Sequence, residues 1–381
     1  MAAEITHLQA RMDRVAQGND DERPKYEPLA VEPASQLVGR APPPPRDWVC
    51  EGLGLPAGRV TSFIGNGGFG KTTVAHQIAI ACATNRSIFG MPVSGGPVLS
   101  IFCEDEQPEL DRKTRIICEA EGIDLGLLDS AYLLSRDGSD NILCSFERDQ
   151  IVLTDFYWQL DATFARLKPR LGIIDTAADT FAGDFMSTPH VRQFIKVALG
   201  GLCHRHGSAI LLLAHPSASA MASGDGGGFS TAWNNSVRSR LYLRRPKSDD
   251  AEEIADRRVL EIRKANYGPS GGLVPLIYSN GRFILDLSPI EEGAKPIKAA
   301  KIDTRLALSV MGYFKQHAAA GQVVRFGAIF EAMQKAGDIP AGEYQTVRKP
   351  LQRVLTSLAE QNLLSPCDVP RGYRMVRETA E

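Results

Sequence analysis

The chain has 381 residues, enough for two or three domains at roughly 100–200 residues each. Its 43 basic and 45 acidic side chains give a formal charge of −2, which excludes a uniformly basic nucleic-acid coat but not charge segregated along the chain. The longest apolar runs, such as Ala209 to Ala214, fall far short of the roughly 18 residues that span a bilayer, and the polar start MAAEITHLQARMDR lacks the apolar stretch of a secretory signal.

Residues 1–45 read as a polar N-terminal arm ending in Pro42-Pro43-Pro44-Pro45, a stretch that joins neither a helix nor a central strand. From 46 to 290 the pattern becomes strand–helix alternation. Apolar runs at Arg59–Ile64, Pro97–Phe102, Leu171–Ile174 and Ser208–Ala214 predict buried strands. Between them lie helical spacings, such as Val191, Phe194, Ile195, Ala198, Leu199 and Leu202. This order predicts an α/β fold with a mostly parallel sheet covered by helices on both faces. Shorter, alternating runs at Ser239–Leu243, Arg258–Lys264, Leu273–Ser279 and Arg282–Leu287, with Asn280-Gly281 as a hairpin turn, predict an antiparallel edge. The small, glycine-rich stretch Ser217–Ser230 reads as a loop.

Residues 291–301 read as a linker, and 302–381 as a separate winged-helix-like domain. That domain would hold helices at Arg305–His317, Phe326–Ala336 and Glu343–Gln361. Short strands at Leu363–Leu364 and Tyr373–Val376 would flank a turn containing Pro370-Arg371-Gly372. From Pro296 onward there are 12 Lys and Arg against 8 Asp and Glu, a local +4, so this tail suits either protein docking or DNA contact through the third helix and the wing. The seven cysteines are odd in number and form no C-x-x-C pair, which points to a reducing, cytoplasmic compartment. Cys203-His204-Arg205-His206 has no matching second half and continues a helical pattern, so it reads as helix rather than metal site.

The sharpest signal is Gly65-Asn66-Gly67-Gly68-Phe69-Gly70-Lys71-Thr72, a full G-x-x-x-x-G-K-[ST] match between the strand ending at Ile64 and the helix Thr73–Ala83. Glycines let backbone N–H groups approach phosphate oxygens, and the helix start adds a favourable dipole for the anion. Lys71 suits the β- and γ-phosphates of ATP, and the Thr72 hydroxyl suits Mg²⁺. A second Mg²⁺-holding group should end the next strand of the sheet, and Asp175 after Leu171–Ile174 fits. Because Thr176 follows it, the base that polarises water must come from elsewhere. Glu104 is the candidate, with Asp105 and Glu106 as neighbours one and two positions on. His215, at the end of another strand, suits either a γ-phosphate sensor or a strand cap.

Together with Trp233-Asn234-Asn235-Ser236-Val237-Arg238 and Arg263-Lys264-Ala265-Asn266-Tyr267-Gly268-Pro269, these motifs over about residues 45–290 resemble the RecA-like ATPases of the plasmid RepA hexameric-helicase type. The resemblance implies a ring-shaped homo-oligomer, a hexamer in that group, with ATP between subunits and single-stranded DNA as a partner. It makes Arg238 a candidate finger toward the neighbour's γ-phosphate and Lys264 a second. The latter segment is also similar to the K-x-R-N-G-P-x-G run of DnaB-type helicases. Lys264 matches the lysine there, but Asn266 stands in place of the arginine, which favours Arg238. The function implied is a replicative helicase or translocase of phage or plasmid type. The alternatives are an ATP-regulated DNA-binding regulator and a recombination or loading ATPase that does not unwind DNA.

Overall fold

A computed structural model describes residues 27–216, 230–246, 255–286, 322–335, 364–368 and 371–375, with isolated helical residues between 310 and 358. The chain divides at Pro45. Within the described part of the first unit, one 3₁₀ turn at Ala34–Gly39 buries none of its side chains, and Pro42–Pro45 carry no regular element.

The second unit begins with a small antiparallel pair, β1 (Trp48–Cys50) and β2 (Leu55–Pro56). It continues through β3 (Val60–Gly65), α1 (Lys71–Ala83), β4 (Val98–Phe102), α2 (Gln107–Glu121) and β5 (Ala131–Ser135). A separate hairpin of β6 (Cys144–Glu147) and β7 (Gln150–Leu153) precedes α3 (Asp155–Leu167). Then come β8 (Leu171–Asp175), α4 (Ala177–Thr180) and α5 (Thr188–Gln193). The last passes through a π-helical turn at Phe194–Leu199 into α6 (Gly200–His206), and β9 (Ala209–Ala214) follows. After α7 (Thr231–Ser236), four strands close the sheet: β10 (Ser239–Arg244), β11 (Arg257–Ala265), β12 (Leu273–Ser279) and β13 (Arg282–Leu285).

The nine-stranded sheet runs β13-β12-β11-β10-β3-β9-β8-β4-β5. From β10 to β5 every pairing is parallel, and the three strands beyond β10 are antiparallel. A parallel sheet must be covered on both faces, which explains why all six residues of β9 are buried. Leu211 and Leu213 pack with α1, while Ile210 and Leu212 pack with the layer of α3 and α6. α1 is apolar nearly all round, burying ten of its residues from Lys71 to Cys82. A helix with that pattern needs cover on every side. The parallel strands cover one side, and the edge strand β13, with α2, covers more of it.

The sheet order corrects one expectation. The strand ending in Asp175 is not next to the strand ending in Gly65, because β9 lies between them. The small hairpin and β5 were not legible in the sequence. The β6–β7 turn is made by Arg148 and Asp149 at φ of 46° and 62°, with no Gly or Asn to signal it. The loop expected at Ser217–Ser230 lies outside the described residues except for Ser230, and so does the 291–301 linker.

In the tail, β14 (Val324–Arg325), α8 (Phe326–Lys335), β15 (Leu364–Asp368) and β16 (Arg371–Met375) form a sheet of order β14-β16-β15 with one helix. Val310, Phe314, Ile329, Phe330, Leu351, Leu355 and Leu358 make its own buried cluster. The hairpin corrects the expected turn: Asp368 pairs with Arg371, so Arg371 and Gly372 are strand residues. Gly372 is needed because a Cβ there would lie 2.3 Å from the Val324 carbonyl oxygen of β14. Much of the helices expected at 305–317 and 343–361 lies outside the described residues.

Candidate active site

The phosphate loop connects the C-terminal end of β3 to the start of α1. Gly68 and Gly70 take left-handed φ values of 71° and 93°, a conformation that costs other residues energy. A Cβ on Gly65 would stand 2.8 Å from the Leu243 carbonyl oxygen, and one on Gly70 would stand 2.5 Å from the Phe283 ring. Gly67 has open space up to the His215 ring, at 3.9 Å. The first helical bond of α1 runs from Val74 N to Gly70 O at 3.0 Å. The N–H groups of Lys71, Thr72 and Thr73 therefore have no intrahelical acceptor, and they form the anion-binding end of the helix.

Three strand ends bring the polar side chains to this loop. Lys71 is only 6% exposed, and its Nζ donates to the Asn66 carbonyl oxygen at 3.1 Å. It also lies 3.5 Å from His215 Nδ1. Burial lowers the Lys71 pKa from its ordinary value, and the nearby Asp175 and Glu104 charges oppose the shift. Thr72 Oγ1 donates to Asp175 Oδ2 at 2.6 Å, so the residues expected to hold a cation meet although β8 is two strands from β3. Asp175 is 2% exposed. Burial pushes its carboxyl up to about 7, Glu104 and Asp105 adding to the rise while the Thr72 hydrogen bond and Lys71 counter it. The next residue, Thr176, caps α4 through Ala178 N and the Asp179 carboxylate. It belongs to local structure and not to the phosphate site.

The acidic turn after β4 sorts into different roles. Asp105 is tied to Lys113 at 2.7 Å, and Glu106 is the residue just before α2. Glu104 carries the exposed carboxylate that faces the loop, with Oε1 4.0 Å from His215 Nε2. His215, at the end of β9, therefore stands between Lys71 and Glu104. Burial first, and then Lys71, lower its pKa below the ordinary value, which favours the neutral ring, while Glu104 and Asp179 oppose the shift. A neutral imidazole here can accept from the lysine on one nitrogen and donate toward the glutamate with the other.

The residues fit a nucleotide and a divalent cation. The loop is shaped by glycines that a Cβ would obstruct, a buried lysine sits at its end, and a hydroxyl and a carboxylate touch beside it. Asn66 Oδ1 is buried there with no partner within the protein. A family model described as an AAA domain matches residues 22–221, more than half of the chain. The chain belongs to the AAA domain family of P-loop ATPases. Comparison with curated proteins returned no match.

The AAA match takes in each phosphate-site residue from Gly65 to His215 and ends before Arg238 and Lys264. Those two are not brought to the phosphate loop of their own chain. β10 runs parallel to β3 with Leu243 opposite Gly65 and Ser239 opposite Thr61. Exposed Arg238 is therefore at the other end of the sheet, roughly 16 Å along the strand from the loop. Lys264 is beside it, opposite Arg240, and its Nζ donates to Asn234 O at 2.7 Å. Trp233 is a core residue, 2% exposed, among Phe181, Phe185 and Phe194.

The sequence reading missed the residues that brace the AAA phosphate loop from behind. Buried Arg258 of β11 donates to Phe69 O at 3.1 Å, and both its guanidinium and that of Arg245 stand over the Phe69 ring. Gln77 of α1 bonds both backbone groups of Phe283, at 2.8 and 2.9 Å. Neither contact leaves a local motif, since the partners are 189 and 206 residues apart.

Proposed function

We propose that the chain is a Mg²⁺-dependent ATPase that works as a ring-shaped homo-oligomer, a hexamer, and moves along single-stranded DNA as a replicative helicase of phage or plasmid type. The observation that carries the shared-site part is the separation of charges across one sheet. Lys71, Asp175, Glu104 and His215 gather at the C-terminal strand ends, and Arg238 and Lys264 stand at the opposite end. A cation so placed is out of reach of its own chain's γ-phosphate and is available to a second copy's. Inserted there, it would neutralise charge on the transferring phosphoryl group and couple hydrolysis to movement of the neighbour.

In this mechanism the backbone of Gly65–Thr73 and the Lys71 ammonium bind the phosphates. Thr72 and Asp175 hold Mg²⁺, which when bound supplies charge neutralisation on the phosphate oxygens. Glu104 orients the attacking water and takes its proton, and His215 reports the γ-phosphate from Lys71 toward Glu104. Among the described residues the tail has the order short strand, helix, hairpin, and with its local +4 this supports the winged-helix reading as a DNA-contacting module.

The deciding experiment mixes inactive Lys71→Ala and Arg238→Ala chains. ATPase activity is expected to return in the mixture, because some interfaces then pair an intact loop with an intact arginine. No recovery at any mixing ratio overturns the shared site. Stimulation of the wild-type rate by single-stranded DNA is expected. Its absence, together with tight duplex-site binding, would favour the regulator.

A further inference from the structure

At the N-terminal end of the sheet, away from the phosphate loop, lies a cavity of about 460 Å³. The entry to β3 (Gly58–Val60), the π-helical turn with α6, and the entry to β10 line it, and it opens to solvent. This volume falls in the range of small-ligand sites, about 300–1,000 Å³. Its polar lining is one-sided. Arg59, Lys196, His204, Arg205 and Arg238 all face it, and none of the residues that line it is acidic.

Arg205 is already engaged, because its guanidinium holds Asp161 at 2.7 Å and the Tyr157 hydroxyl at 2.8 Å. Arg59 is held in place by donating to Tyr267 Oη at 3.3 Å and to Gly58 O at 2.7 Å, neither of which neutralises its charge. Lys196 is exposed on the π-helical turn, a local widening of the helix that recurs at functional sites. Ser236 completes the lining set and is buried. The mutual repulsion of these cations would be relieved by one oxyanion. The crowding of positive charge extends to Lys264, whose pKa is lowered first by burial and then by Arg238, Arg240 and Lys196.

We infer that this cavity is a second phosphate-binding site, separate from the P-loop, in which Arg59, Lys196 and His204 beside Arg238 take the phosphoryl oxyanions of a small polyphosphate or of a nucleotide's phosphate tail. The site is built within one chain and does not depend on the ring. Two sources can supply the same chemistry: a free ligand, or the nucleotide of a second copy.

The test is calorimetric titration of inorganic tripolyphosphate into the full-length Lys71→Ala chain, whose P-loop is disabled. One site per chain is expected, weakened at least tenfold by adding Lys196→Glu and several-fold by adding Arg59→Gln, with circular dichroism unchanged. If Lys196→Glu disturbs folding, Lys196→Met is expected to give the same direction with smaller size. No binding, binding indifferent to these substitutions, or binding of oligothymidylate in place of tripolyphosphate overturns the site. In the wild-type background, Lys196→Glu separates the sources. A fall in kcat at unchanged ATP affinity assigns the phosphate to a second copy's nucleotide, an unchanged kcat assigns it to a free ligand, and both support the site. Recovery in the Lys71→Ala and Arg238→Ala mixture is read independently, so either conclusion can fail alone.

Discussion

Asp175 concentrates the electrostatics of the site in one carboxyl. Its folded-state pKa of about 7 lies above the ordinary 3.8 because burial disfavours the charged form. The folded chain therefore holds this proton more tightly than the unfolded chain. The stabilisation is fully present below about pH 4 and is lost as the pH rises toward 7 and beyond. Asp175→Asn removes that penalty while preserving shape. In the presence of a chelator the variant is expected to melt several degrees above wild type at pH 8 and close to it at pH 4, as measured by thermal denaturation across pH. A wild-type Tm deficit that does not grow between pH 4 and 7 would refute this. The same substitution is expected to abolish Mg²⁺-dependent hydrolysis. Lys71→Ala is expected to lower kcat by at least about 100-fold, the scale of losing one preorganised cation. Glu104→Gln should do the same with little change in ATP affinity, and normal turnover would reassign the base.

At the scale of elements, the strand–helix alternation was readable because buried parallel strands appear as short apolar runs. All four such runs became β3, β4, β8 and β9. What local pattern does not carry is how the antiparallel β12–β13 hairpin curls over α1. That contact rests on Phe283, 2% exposed, and on the paired hydrogen bonds from Gln77. Phe283→Ala is expected to destabilise the chain by about 3–5 kcal/mol, the usual cost of emptying an aromatic core position. It should also weaken nucleotide binding, because the same ring packs against Gly70. Gly70→Ala should cost stability as well as binding, since it meets both a ring and an unfavourable φ of 93°. Chemical denaturation and nucleotide titration of the two variants separate these effects.

For the whole molecule, the formal charge of −2 conceals an arrangement. The phosphate loop and the acidic turn occupy one end of the sheet, and Arg59, Lys196, Arg238 and Lys264 the other. In the proposed ring, head-to-tail association of such subunits would bring opposite charges together and would propagate until it closed. Mass measured in solution is expected to rise to that of a closed ring with ATP and Mg²⁺. High salt should oppose assembly, because exposed charges are screened within about 10 Å at 0.1 M. A mass unchanged by nucleotide at all concentrations would count against the ring. No helix among the described residues is long and apolar enough to cross a membrane.

Sequence alone determined the phosphate loop, the carboxylate at Asp175 and the α/β alternation, because each depends on residues near one another in the chain. Glycine spacing, strand-end position and apolar period are local quantities. Tertiary structure decided the rest. It put β9 between the two motif strands, so that His215 stands over Lys71 and Glu104. It turned Glu104 toward His215 and paired Asp105 with Lys113. It placed Arg238 at the sheet end opposite its own phosphate loop and gathered Arg59, Lys196 and Ser236 around one cavity. Strand order and side-chain convergence depend on contacts between residues tens to hundreds of positions apart, and no local spacing records them.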